Sequence, residues 1–67
     1  MATMIVKLSV GDLVKVTHPM HHPKIPENRT GIIIEKIKPP NHPMLFVVYF
    51  SQTNGTLRLV PSALEKL

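Results

Sequence analysis

The chain has 67 residues, with eight lysines or arginines against four aspartates or glutamates, a formal charge of +4, and no cysteine. This length supports a single small domain, and a domain of about 60 residues buries only about 60% of the surface of its unfolded chain. The lack of cysteine excludes disulfides, thiolate zinc sites and cysteine nucleophiles. Stability is therefore expected from a sheet closed on itself or from association with another chain.

The N-terminal residues 1–8 lack the basic leader and long apolar stretch of a signal peptide. The sequence also lacks the run of about 18 apolar residues that a membrane span needs. We therefore expect a cytoplasmic protein without membrane contact. The basic residues are dispersed along the chain, which on strands is typical of a solvated face, so charge alone favours nucleic acid only slightly.

Apolar residues recur in short runs divided by turn formers, which favours strands over helices. In chain order, the predicted strands are 13–17, 31–37, 45–50, 56–60 and 65–67, with 4–8 extending the first or forming another. In the turn before the first of these, Asp12 is expected to make a side-chain hydrogen bond. Between the third and fourth, Asn54-Gly55 predicts a type I′ hairpin turn, whose two central residues both need positive φ.

Pro61 ends the fourth strand, since proline cannot donate to a ladder, and residues 61–64 are predicted to form one 3-10 turn. Two proline-rich loops remain, at 18–30 and 38–43. Proline fixes φ and extends the residue before it, so both loops are predicted to be stiff and polyproline-II-like. A long structureless loop in a small domain is usually functional or disordered.

Two stretches of the chain resemble a known family. Residues 11–16 with 31–35, and 47–50 through 54–55 to 59–65, resemble the small stand-alone SH3-like barrel proteins common in bacteriophages. The resemblance covers most of the chain from residue 11 onward. It implies one SH3-like domain over residues 1–67, an all-β barrel of about five strands with a long first loop and one 3-10 turn. The two loops and that turn would then flank a shallow groove.

Narrower resemblances concern parts of the chain. The Gly11-Asp12 start and the later Gly31 resemble KOW-type RNA-binding modules, and the His/Pro-rich stretch 16–23 is similar to the variable chain of ferredoxin–thioredoxin reductase. These imply RNA binding and membership of an electron-transfer complex, respectively. The chain departs from signalling SH3 domains that read proline-rich peptides, because it has no tryptophan and one tyrosine.

Candidate contact residues lie mainly on the first loop. Large, semi-apolar side chains on a stiff loop lose little entropy on binding. The predicted partner-binding residues are Met20, His21, His22 and Pro23 at the loop tip, with Tyr49 and Pro61 lining the groove. For Tyr49 the alternative is a barrel residue whose hydroxyl reaches solvent. The residues predicted for a nucleic-acid-binding face are Lys15, Lys24, Arg29, Lys36, Lys38 and Arg58.

Metal and catalytic chemistry find little support. His18 and His22 would lie about 13 Å apart in an extended segment, at about 3.3 Å per residue, too far for one metal ion unless the loop folds back. The four carboxylates include no evident acid–base pair, the serines lie in no nucleophile motif, and the three glycines form no phosphate loop. We therefore expect no enzyme activity, no metal and no cofactor.

The combined expectation is a non-catalytic protein–protein interaction or assembly module, a small phage or accessory protein of the host cytoplasm or virion. Its partner would be another protein or a second copy of the chain. The alternatives are nucleic-acid binding through a basic barrel face and a subunit of an electron-transfer complex. If Ile33, Phe46 or Val48 faced outward, the exposed patch would mark the interface.

Overall fold

The computed structural model describes residues 8–19 and 21–67, which form five antiparallel strands. The strands are β1 (Leu13–Val16), β2 (Thr30–Ile37), β3 (Leu45–Phe50), β4 (Gly55–Leu59) and β5 (Leu64–Lys66), with a 3-10 turn at Pro61–Ala63 before β5. The five strands predicted from residue 13 onward and the 3-10 turn are thus confirmed, with ends shifted by at most one residue. The strand predicted at 4–8 lies, apart from Leu8, outside the described residues.

The strand order in the sheet is β4-β3-β2-β1-β5. Consecutive strands from β1 to β4 are neighbours, and β5 returns to pair with the free side of β1. In these ladders β4 and β5 are the two outer strands and are not paired with each other. The structure therefore establishes an all-β, five-stranded antiparallel sheet, and the closed hydrogen-bonded barrel expected from the sequence is not seen in the pairing.

The core lies on one face of this sheet. Successive strand residues point to opposite faces, so the alternation in β3 buries Phe46, Val48 and Phe50 and leaves the residues between them half-buried. Every strand contributes to the same cluster of buried side chains: Val14, Val16, Ile33, Phe46, Val48, Phe50, Leu59 and Leu64. The sheet therefore curls around its own core. Because Ile33, Phe46 and Val48 point inward, they do not form the exposed patch considered above.

A bulge interrupts the pairing of β2 with β3. Ile33 pairs with Val48, but the next pair is Glu35 with Val47, so Ile34 is an extra residue on β2. A bulge bends its strand and increases the local twist, which suits a sheet that must curl. It also leaves Ile34 48% exposed, although the isoleucine before it is fully buried.

Two turns test the predictions made from short sequence motifs. Before β1, the Asp12 carboxylate accepts a hydrogen bond from the Ser9 N–H at 2.8 Å, which confirms the predicted turn hydrogen bond. The predicted β3–β4 hairpin is also confirmed, but the prediction of a type I′ turn is wrong. Phe50 pairs directly with Gly55, so the loop is the four residues 51–54, and only Asn54 has a positive φ, at 55°. Gly55 already belongs to β4.

Candidate functional site

The first loop, residues 17–29, folds back on itself in two successive turns. The Ile25 N–H donates to the His22 carbonyl and the Arg29 N–H to the Pro26 carbonyl, both at 2.9 Å. Pro26 is buried, and Ile25 packs against the core. The polyproline-II-like conformation predicted for the whole loop is therefore wrong between residues 22 and 29, because these inward-facing residues draw the chain onto the sheet.

Arg29 fixes the C-terminal end of this loop. Its backbone has a φ of 56°, in the left-handed region that non-glycine residues rarely adopt. The Arg29 carbonyl accepts a hydrogen bond from the Val16 N–H at 2.8 Å, and the Arg29 Nε donates to the Val16 carbonyl at 2.9 Å. An Nη also donates to the His18 carbonyl. The guanidinium thus ties the end of the loop to its beginning.

The middle of the first loop rests on the β3–β4 hairpin. The Thr53 hydroxyl donates to the Lys24 carbonyl, although the two residues are far apart in sequence. The Lys24 side chain covers Gly55, where an added Cβ would lie 2.9 Å from the Lys24 Cγ. The absence of a side chain at Gly55 therefore permits loop and hairpin to pack together, a requirement that the turn signal did not reveal.

The predicted loop-tip residues lie at a shallow concavity. His21, His22 and Pro23 are exposed and help to line a depression of about 480 Å³ together with residues of the two turns. The His22 Nδ1 accepts a hydrogen bond from the Lys24 N–H at 3.1 Å, so this imidazole also stabilises the turn. Met20 lies outside the described residues.

Tyr49 and Pro61 line other depressions. Tyr49 is half-buried on the outer face of the sheet beside Ile32, and its hydroxyl donates to the Asn54 side-chain oxygen at 2.8 Å. Pro61 borders a depression of about 370 Å³ with Phe46 and Leu64. The structure therefore brings the described loop-tip residues together and places Tyr49 and Pro61 at two different depressions.

The six basic residues predicted for a nucleic-acid face are also divided. Lys15 is the register partner of Glu65, Lys24 lies over the hairpin, and Arg29 is committed to its loop. The other three lie at one end of the sheet, where β2 ends, β3 begins and β4 ends: Lys36, Lys38 and Arg58. Lys36 pairs with Phe46 and Arg58 with Val47, so these two side chains point to opposite faces.

At that same end the surface has a depression that sequence reasoning missed, here called the end depression. Its volume is about 220 Å³, and its lining residues are His18, Leu45, Arg58, Leu59, Val60 and Ala63. They come from the first loop, the start of β3, the end of β4 and the 3-10 turn. No short motif joins these segments, so only the register of β3 with β4 and the position of the turn bring them together.

Among the described residues, no three histidine, aspartate or glutamate side chains are grouped so that they could hold a metal ion. The described part of the chain also has no helix long and apolar enough to cross a membrane. Comparisons with models of protein families, with curated proteins and with solved structures find no match to this chain. The chemistry of its surface is therefore what bears on function.

Proposed function

We propose that the chain is a non-catalytic protein-interaction module on an SH3-like scaffold, and that the end depression binds an acidic segment of its partner through one apolar side chain. The strand order supports the scaffold, because four strands follow in sequence and a short fifth strand returns beside the first after a 3-10 turn. A small phage or accessory protein of the cytoplasm is the setting that the sequence resemblance suggests.

The observation that carries the proposal is the chemistry of the end depression. Leu45, Leu59 and Val60 provide apolar walls, and the exposed Arg58 lies at the rim. Lys38 adds positive charge nearby, because it follows Ile37, which pairs with Leu45, whereas Lys36 pairs with Phe46 and points to the other face of the sheet.

No carboxylate lines this depression. The nearest acidic side chain in the register is Glu35, which shares the neighbour Val47 with Arg58 and is therefore two strands, about 10 Å, away. An apolar surface with a one-sided positive rim is complementary to an apolar group flanked by carboxylates.

The size of the depression limits its occupant. Pockets that hold whole small molecules begin at about 300 Å³, whereas the end depression measures about 220 Å³. It therefore suits one large side chain of a peptide segment better than a cofactor. Because it lies between the first loop and the 3-10 turn, the peptide backbone can run along the end of the sheet.

The test is fluorescence anisotropy with a labelled synthetic peptide in which glutamates flank a leucine–phenylalanine pair. We expect Arg58→Gln to weaken binding about tenfold, which corresponds to about 1.4 kcal/mol for a lost charge-assisted hydrogen bond. Val60→Thr, which keeps the side-chain shape, should weaken it about threefold through the lost apolar contact. Lys15→Gln removes one positive charge on β1, three strands away from Arg58, and should leave binding unchanged.

Three results would overturn the proposal. The first is no binding of the peptide, and the second is equal weakening by Arg58→Gln and Lys15→Gln, which would show only a general charge effect. The third is tighter binding of a labelled single-stranded or duplex oligonucleotide, with log affinity falling against log salt by about 0.9 per phosphate neutralised on duplex. That result would favour the nucleic-acid alternative.

A further inference from the structure

The two most exposed large apolar side chains of the described residues are neighbours. Leu13 is 59% exposed and Leu67 is 62% exposed, and the Leu67 N–H donates to the Leu13 carbonyl at 3.0 Å. Leu13 alternates with the buried Val14, so it lies on the outer face of β1. Leu67 follows β5 on the adjacent edge of the sheet.

The apolar surface continues across the sheet from Leu13. Leu13 pairs with Ile32 and Ile32 pairs with Tyr49, so three side chains on three successive strands form one row on the outer face. These three residues border a further depression of about 210 Å³. Leu13 is the exposed end of this row, because Ile32 and Tyr49 are half-buried.

One charged pair accompanies the two leucines. Lys15 and Glu65 are exposed register partners, one on β1 and one on β5, two residues away from Leu13 and Leu67 respectively. We call the four residues Leu13, Lys15, Glu65 and Leu67 the β1–β5 face. This face carries one positive and one negative charge, although the whole chain carries +4. The excess positive charge lies elsewhere, and Arg58 brings part of it to the end depression.

We propose that the β1–β5 face binds the same face of a second copy of the chain. A twofold axis parallel to the strands and midway between β1 and β5 exchanges the two strands. It sets Leu13 of one copy against Leu67 of the other, and Lys15 of one copy against Glu65 of the other.

Each contact then occurs twice, as a twofold interface requires. The charge pattern selects this occupant, because a neutral face with one charge of each sign is complementary to itself. A strongly acidic partner is complementary to the positive end of the sheet instead. Self-association also supplies the added burial that a small domain without disulfides gains from a partner chain.

The decisive experiment is charge exchange in the full chain, followed by sedimentation velocity at micromolar concentration. Lys15→Glu and Glu65→Lys each place like charges across both symmetric contacts, so each variant alone should dimerise at least about tenfold more weakly than the wild type. An equimolar mixture of the two variants restores opposite charges at both contacts. We therefore expect the mixture to form heterodimers with near wild-type affinity.

The mixture separates this proposal from an effect within one chain. If Lys15→Glu only weakened the sheet by facing Glu65, mixing with the other variant would restore nothing, and the proposal would be wrong. Circular dichroism of each variant, with the wild-type strand signal expected, verifies that the fold is retained. Arg58→Glu makes the same charge change at the end depression and should leave dimerisation unchanged.

A second variant tests the apolar half of the interface. Leu13→Thr keeps a residue suited to a strand and removes most of the exposed apolar area, so it should weaken dimerisation at least about tenfold. Val60→Thr, at the end depression, is its control and should have no effect. A wild-type protein that is monomeric at every concentration would overturn the proposal, as would equal effects of Leu13→Thr and Val60→Thr.

Discussion

The two proline-rich loops have the same number of prolines but differ in how closely they pack and hydrogen-bond to the rest of the domain. Residues 17–29 and residues 38–44 contain three prolines each. In the first loop one proline is buried, an arginine binds two carbonyls, and a hairpin threonine binds a third. In the second loop five of the seven residues are exposed, and the one backbone hydrogen bond that it makes among the described residues, from the His42 N–H to the Pro39 carbonyl, is long at 3.4 Å.

The difference shows that proline content does not by itself determine what a loop does. Proline restricts the chain locally in both loops. What makes the first loop part of the folded domain is contact with distant residues, above all through Arg29, Ile25 and Pro26. The second loop contacts the core mainly through Met44, next to β3.

The largest effect is expected at Arg29. Arg29→Ala removes two charge-assisted hydrogen bonds to carbonyls and keeps the left-handed backbone, so it should lower the free energy of unfolding by about 3 kcal/mol. In a domain of this size the melting temperature should fall by more than about 10 °C. Arg29→Gly also loses the guanidinium but relieves the backbone, so its loss should be smaller by up to about 1 kcal/mol. If Arg29→Ala left the free energy of unfolding unchanged, side-chain contacts would not distinguish the first loop from the second.

The next effect concerns the packing of the first loop on the hairpin. Gly55→Ala introduces a Cβ 2.9 Å from the Lys24 Cγ and 3.1 Å from its Cδ, and should cost about 2 kcal/mol by overpacking. Lys24→Ala removes these two atoms, so the double variant should recover about 1 kcal/mol relative to the sum of the single changes. Chemical denaturation of the four proteins measures this coupling. A coupling near zero would show that Lys24 and Gly55 do not press on each other.

A smaller effect is expected at Thr53. Thr53→Val deletes the hydroxyl that donates to the Lys24 carbonyl and should cost about 1 kcal/mol, the usual net contribution of one hydrogen bond. Thr56→Val, at an exposed position of β4, is the matched control and should be neutral or slightly stabilising. Equal stability of the two variants would mean that the hydroxyl contributes nothing.

The smallest effect is expected in the second loop. Asn41 has a left-handed φ of 61°, close to the value of Arg29, but it is exposed. Asn41→Ala should therefore cost only about 0.5 kcal/mol, from the poorer tolerance of alanine for this conformation. Thermal unfolding of Asn41→Ala beside Arg29→Ala compares the same backbone strain with and without side-chain ties. A loss at Asn41 as large as that at Arg29 would show that the second loop is equally integrated.

The strands could be predicted from the sequence because the patterns that indicate them are local. Runs of valine, isoleucine and phenylalanine alternate as a half-buried sheet requires, and a proline marks the end of β4. Asn54-Gly55 correctly predicted a hairpin but not its turn type. Glycine is needed at position 55 because the Lys24 side chain packs against it, and not because its φ is positive. No local pattern indicates that an arginine will adopt positive φ to bind carbonyls on the other side of a loop.

The candidate site was harder to predict than the fold. Tyr49 and the histidines stood out by residue type, whereas the end depression is formed by ordinary residues such as Leu45 and Val60. These residues meet only because of tertiary register. Their positions at strand ends beside the 3-10 turn would have been the one usable signal.

The extra residue in β2 has a consequence for chain length. Along a strand, whether a side chain faces inward or outward follows the parity of its position, and Ile34 changes that parity between Ile33 and Glu35. Without the bulge, continuous pairing would set Glu35 against Phe46 and turn a carboxylate toward the core. Deletion of Ile34 would leave Ile33 facing inward and Glu35 facing outward. The resulting β2 would be straighter and would enclose the core less well.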